Sequence, residues 1–208
     1  MRTIHYFLFS TIFTLAGCTT LLPTQEMSDA RQALQAAQLV QAEKYAHQQV
    51  QMATFKLSHA ELNFSAGNVQ SAREHALSAK EAAIAAHTMA VALVRAENVL
   101  HTLHHYDTQA AEALKATLEQ ARHAAETGDV RSTLFYADDT YRAAKQRLNP
   151  YYLTEVEQWL HTWQQQHPQL SDEQMELVQA IQAALANQNG NKARDLFLML
   201  STSPFPIP

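Results

Sequence analysis

What this chain has little of narrows it first. It holds four glycines, six prolines and one cysteine in 208 residues. A single thiol excludes an internal disulfide framework. Runs of β-branched residues are missing, and with them the signature of a sheet. Basic residues are outnumbered: 15 Lys and Arg against 20 Asp and Glu give a formal charge of −5. That balance argues against a nucleic-acid partner, whose phosphates need cationic side chains. The sequence carries neither a glycine-rich phosphate loop nor a His-Glu-x-x-His zinc signature. Alanine and glutamine are abundant instead, so the chain is expected to be all-α.

The one cysteine stands close behind an apolar start. Residues 1–17 read MRTIHYFLFSTIFTLAG. Arg2 supplies a basic beginning, and Tyr6 to Leu15 form an apolar stretch of signal-peptide length, too short to span a bilayer comfortably. Ala16 and Gly17 are small, as cleavage requires. Leu15-Ala16-Gly17-Cys18 resembles the lipobox of a bacterial lipoprotein signal. The resemblance implies removal of residues 1–17, a diacylglycerol thioether on Cys18, and an acyl group such as palmitate on its new amine. One acyl chain holds a protein marginally and two hold it stably, at ~0.8 kcal/mol per buried methylene. Thr19, not Asp, follows the cysteine. By resemblance to the Gram-negative sorting pattern, this implies an outer-membrane lipoprotein facing the periplasm.

Without Arg2 the mature chain carries 14 Lys and Arg against 20 Asp and Glu, with ten histidines. Near pH 5 protonated histidines would carry that balance to the positive side.

Residues 18–28 contain Pro23 and no periodicity, and read as a tether. Ser28-Asp29 offers a helix N-cap. Ala46, Val50, Ala53, Leu57, Ala60 and Phe64 then recur at threes and fours, and so do Val69, Ala72, Ala76, Ala79, Ala83, Ala86, Ala90 and Leu93 beyond Gly67-Asn68. Each set stays on one face of a helix. Gly67 can take the left-handed conformation that ends a helix, so the two fold back as an antiparallel hairpin. Between Gln41 and His47 the stripe turns polar, which predicts a bend or break.

The pattern recurs. Ala111, Leu114, Leu118, Ala121 and Ala125 precede Gly128-Asp129, and Val130, Leu134, Ala137, Tyr141, Ala144 and Leu148 follow it. Ala60 to Ala76 aligns with Ala121 to Ala137, glycine on glycine. Ile181 to Phe197 is a weaker echo, with Gln188 to Gly190 as its turn. Asn149-Pro150 is expected to end the fourth helix, with a separate one over Tyr151 to Gln166. Ser171 and Gln174 form a capping box for the next. Ser203 to Pro208 is a Pro-rich tail unfit for helix. The expected architecture is a series of antiparallel helical hairpins, TPR-like but irregular, in an elongated bundle. It divides into a hairpin domain over 29–105 and a second helical-hairpin region over 106–202.

In the first half, Asp29-Ala30-Arg31-Gln32-Ala33, Glu43-Lys44-Tyr45-Ala46 and the alanine ladder through Gly67, Ala72, Ala76 and Ala79 resemble an Ala-rich lipoprotein domain of unknown function found in Gram-negative envelopes. That family implies a helical envelope role and supplies no catalytic residues. In relatives it sometimes stands beside an OmpA-like peptidoglycan-binding domain. No such domain follows here, so peptidoglycan binding is not carried over.

Chemistry-bearing residues are scattered. His101 and His105 share a helix face, with His104 and Asp107 near, and are the weak candidates for metal. Glu43/His47, Glu97/His101 and Glu157/His161 are pairs four apart, which suits helix-surface pairing. Trp159, Trp163, Tyr151 and Tyr152 are the candidates for binding a partner, since aromatics dominate interface hot spots; the tryptophan pair, four apart, reads equally as core, and Trp163 shares the apolar face of its helix with Leu153, Val156 and Leu160. The expectation is a membrane-anchored structural or adaptor protein without catalytic residues or cofactor, holding an envelope protein through residues 106–208. The alternative is a periplasmic ligand or metal binder using the histidine-rich surface. Deleting 106–208 is expected to leave a folded, anchored hairpin.

Overall fold

The computed structural model describes residues 23–202. The signal segment, Cys18 and the Pro-rich tail lie outside the described residues. The described chain is all-helical: α1 (Thr24–Leu39), α2 (Ala42–Tyr45), α3 (His47–Ser65), α4 (Val69–Tyr106), α5 (Thr108–Glu126), α6 (Val130–Gln166), α7 (Asp172–Ala186) and α8 (Gly190–Thr202).

The alanine ladder explains how α1, α3 and α4 come together. Each helix gives one small or medium side chain to successive layers. Met27, Ala60 and Ala76 form one, Ala30, Leu57 and Ala79 the next, and Ala53, Ala82 and Ala83 a third with Leu34 beside them. Small side chains let three backbones approach closely and exchange dispersion contacts that a single methyl could not supply by area alone. Farther along α4, the layers grow larger. Met89, Leu93, Leu100 and Leu103 are buried with Leu118 of α5 and Leu148 and Tyr152 of α6. This main core takes residues from both sides of the expected 105/106 division. A second core joins Val156, Leu160 and Trp163 of α6 to Val178 and Ile181 of α7 and Leu200 of α8. Helix α6 belongs to both.

The break expected near Tyr45 is present. Helix α1 stops at Leu39, Gln41 takes a left-handed φ of 57°, and Ala46 lies at φ −144° between α2 and α3. Ala37, Ala42 and Ala46 are fully buried around it, so the chain changes direction while keeping its methyls inward.

The three hairpin turns are one motif used three times. Gly67, Gly128 and Gln188 hold φ of +81°, +71° and +56°. Behind them Asn68, Asp129 and Asn189 donate their backbone N–H to Asn63, Ala124 and Ala184 at 2.8, 2.9 and 2.9 Å. This bond, reaching five residues back past a left-handed residue, is the Schellman termination. The third copy has glutamine where the others have glycine. A left-handed L-residue costs about 1–2 kcal/mol, part of which glycine returns through its looser unfolded state. Gln188→Gly is therefore expected to stabilise the protein by about 0.5–1 kcal/mol. Urea denaturation checks this, and a lower midpoint would refute it.

Two sequence expectations are corrected. Residues 24–28 are not tether but the first turn of α1, and Ser28 does not cap it. Pro23 precedes that turn, Glu26 pairs with Arg73 at 2.8 Å, and Met27 is buried. Asp29, expected to help cap, instead meets Lys80 at 2.8 Å. The Lys80 ammonium holds the Asp29 carboxyl below its ordinary range, with help from Gln25. The second correction is at Pro150, which lies inside α6 and ends nothing. Proline removes one helical hydrogen bond, the one the Gln146 carbonyl would accept, and crowds the preceding turn; the end of the α7–α8 hairpin is tied to that turn from outside. Asn191 Nδ2 donates to the Lys145 carbonyl at 2.8 Å, and Asn149 Nδ2 donates to the Gln188 carbonyl at 3.0 Å.

Candidate functional site

Two places gather side chains able to do chemistry or recognition. The first lies where the break between α1 and α3 meets α4 and α5. Because α2 is a single turn held by buried Ala42, it presents Lys44 and Tyr45 toward α4. Glu97 Oε1 accepts from Arg122 Nη2 at 2.7 Å, and Oε2 accepts from the Tyr45 hydroxyl at 2.9 Å. Lys44 Nζ donates to that hydroxyl at 3.1 Å. Arg122 also reaches Glu119. The Glu97 hydrogen bond holds the guanidinium more firmly protonated than usual, and Tyr45 does the same for the Lys44 ammonium. The network separates two hollows of about 250 and 240 Å³. His101, His104 and Lys115 line the larger one. Such a hollow could take a small polar or anionic group. Every charge in the network already has a partner, so a ligand would have to compete for it.

Of the metal candidates, His101 and His104 share that hollow, while His101 and His105 meet ring edge to face, 4.7 Å between centroids. All three are exposed. Among the described residues, no three His, Cys, Asp or Glu side chains are placed to hold a metal ion. Glu97 serves Arg122 and Tyr45, and His161 contacts Gln165.

The second place is aromatic. Tyr106, at the end of α4, meets Tyr151 and Tyr152 of α6 at centroid distances of 5.4 and 5.8 Å. Its hydroxyl donates to Glu155 Oε2 at 2.8 Å. Burial, with the Glu155 carboxylate beside it, pushes the Tyr106 phenol up to about 12. Arg194 of α8 stacks 4.7 Å over the Tyr152 ring. One turn on, Trp159 packs beside Phe197.

The expected docking set is thereby divided. Tyr152 and Trp163 are core, 3% and 8% exposed, and are corrected from surface anchors to interior residues. Trp163 stacks on His167 and packs among α7 and α8 side chains. Tyr151 and Trp159 remain about one third exposed. Sequence spacing puts Trp163 on the apolar face with Leu153, Val156 and Leu160, but does not say that α7 and α8 would supply its cover. Tyr45, Glu97 and Arg122 were missed because they lie on three helices far apart in the chain. The break near Tyr45 was the one available signal.

No family model, curated protein or solved structure matches the chain.

Proposed function

We propose that this is an outer-membrane lipoprotein, anchored through Cys18 and facing the periplasm, that acts as a structural or adaptor component of the cell envelope. The observation that carries the reading is the distance between lipobox and helical body. Helix α1 begins at Thr24, so five peptide links join Cys18 to Pro23. Even fully extended they span about 17 Å. The body is therefore held against the membrane surface, as suits a component that positions something there. Tyr151 and Trp159, with Phe197, are the proposed contact points for an envelope protein. Peptidoglycan contact has no support, and nucleic acid is disfavoured by charge.

Cys18→Ser is expected to prevent lipid attachment and move the protein from the outer-membrane fraction to the soluble periplasm or the inner membrane. A variant that fractionates like the parent overturns the anchor. A photocrosslinker at Trp159 should then capture an envelope protein in intact cells, and one placed at Ser58 on α3 should not.

The hollow beside Glu97 favours one second reading, a periplasmic ligand binder that uses His101, His104, Lys115 and Arg122. Saturable binding of a small anion, lost in Arg122→Gln, would promote it.

A further inference from the structure

One face of α4 is left open by the other described helices along most of its length, and meets α6 only at Arg95. Glu74, Leu77, Glu81, Ile84, Thr88, Val91 and Arg95 follow one another at alternating threes and fours, and all seven are exposed. Leu77, Ile84 and Val91 are 44%, 49% and 42% exposed, seven residues apart. They occupy one of the two seam positions of each heptad, and the other is polar: Glu74, Glu81, Thr88 and Arg95. The opposite face of α4 is fully engaged in the core, so the stripe is surplus to folding. Exposed apolar residues scattered singly need no explanation, but a continuous heptad row does.

We infer that this face docks a second copy of the chain, α4 against α4, antiparallel about a two-fold axis near Ile84. The charge along the stripe supports this occupant. The acids Glu74 and Glu81 stand in the first half of the stripe, Glu74 at its end, and a base, Arg95, stands at the other end. A parallel pair would set like charge beside like. An antiparallel pair brings Leu77 of each copy to the Val91 end of the other and sets Glu74 near Arg95. An interface of this kind is self-complementary. Arg95 is held ready by Asp138 at 2.9 Å and by the Tyr141 ring beneath it at 4.1 Å. Phe135, 61% exposed, lies one turn before Asp138 on α6.

Helix α4 is also long and apolar enough, by length and composition alone, to cross a membrane. Lipid is the poorer occupant of this face, because Glu74 and Glu81 would enter hydrocarbon unpaired. A second copy offers Glu74 a cation in Arg95, and it sets Glu81 beside the polar Thr88 and His87 of the other copy instead of hydrocarbon. The ion pairs Glu26–Arg73 and Asp29–Lys80 put α1 along one flank of the stripe. The two-fold keeps that flank on the same side in both copies. Given the anchor proposed above, both lipids can then enter one leaflet, where confinement raises the effective concentration for pairing.

The test is disulfide trapping of the full chain in the oxidising periplasm. Ile84→Cys is expected to give a dimer band on non-reducing gels, whereas Leu62→Cys, exposed on α3, should stay monomeric. Leu77→Cys and Val91→Cys should each fail to pair with themselves, since the two copies of residue 77 lie about 21 Å apart at 1.5 Å per residue. The two variants expressed together should crosslink. Glu74→Arg should weaken the Ile84→Cys dimer, and adding Arg95→Glu should restore it. The inference falls if Ile84→Cys dimerises no better than Leu62→Cys, if it captures a different protein, or if it is shielded from a water-soluble maleimide without a dimer band. The parent chain provides the separate control: a disulfide dimer formed by it would reveal a free thiol at Cys18 and count against the anchor, not against the α4 face.

Discussion

Gly190→Ala should detach α8 from α6. In an ordinary helix the change would stabilise by about 1 kcal/mol, because alanine is the better helix former. Here a Cβ on residue 190 would collide with the Asn149 carbonyl oxygen and lie 2.8 Å from the Leu153 backbone nitrogen. Both obstacles are backbone atoms of α6, and neither can rotate away. Relief requires the helices to separate, which breaks the Asn149 and Asn191 hydrogen bonds that brace α6 around Pro150. The expected cost is about 3 kcal/mol or more, at the upper end of overpacking effects. Guanidinium denaturation followed by tryptophan fluorescence reads it directly, since Trp163 lies in the core that α8 helps to close. A midpoint equal to or above the parent's would show that α8 does not sit where the structure places it.

The second large effect concerns the end of α4. Leu103 is fully buried in the main core, beside residues of α5 and α6. Leu103→Ala should cost about 2–5 kcal/mol, the range for a buried leucine that leaves a cavity behind. The loss should appear as a lower midpoint of a single unfolding transition spanning α1 to α6, measured by helical circular dichroism at several denaturant concentrations. A loss confined to residues after 106 would show instead that the two halves fold independently. The same packing revises the expected result of truncation. A chain ending at His105 would expose Leu93, Val99, Leu100 and Leu103 together, each worth about 1.5–3 kcal/mol when buried, and it is not expected to persist as a folded hairpin. Partner contacts are better sought with substitutions at Tyr151 and Trp159 than by deletion.

These outcomes mark what could be read from the chain alone. Gly67 and Gly128 announced their turns because a left-handed residue behind an amphipathic helix has a local chemical signature. Gln188 was recognisable through the repeat, although not through its own side chain. The break before His47 was legible because polar residues interrupt an apolar row. Pro150 was misread for a physical reason: local rules know what proline removes, but not that Asn191, forty-one residues later, would bind the Lys145 carbonyl and tie α8 to the turn before it. Thr24 to Ser28 were missed likewise, since the ion pair of Glu26 with Arg73 and the burial of Met27 against Ala60 and Ala76 are tertiary facts. The polar cluster around Glu97 and the burial of Tyr152 belong to the same class. Helix type is a local property, whereas the company a side chain keeps is decided by helices remote in sequence.

Helix α6 carries a mechanical implication. Its 37 residues make a rod of about 55 Å at 1.5 Å per residue, with one half embedded in the core of the first five helices and the other in the core it shares with α7 and α8. No flexible linker separates those two ends. A load applied at Trp159 while the amino terminus is fixed would pass along a continuous hydrogen-bonded backbone, and its weakest point, the turn before Pro150, is splinted by α8. A tug on the far end would be felt at the near end as displacement, with little of it absorbed as slack.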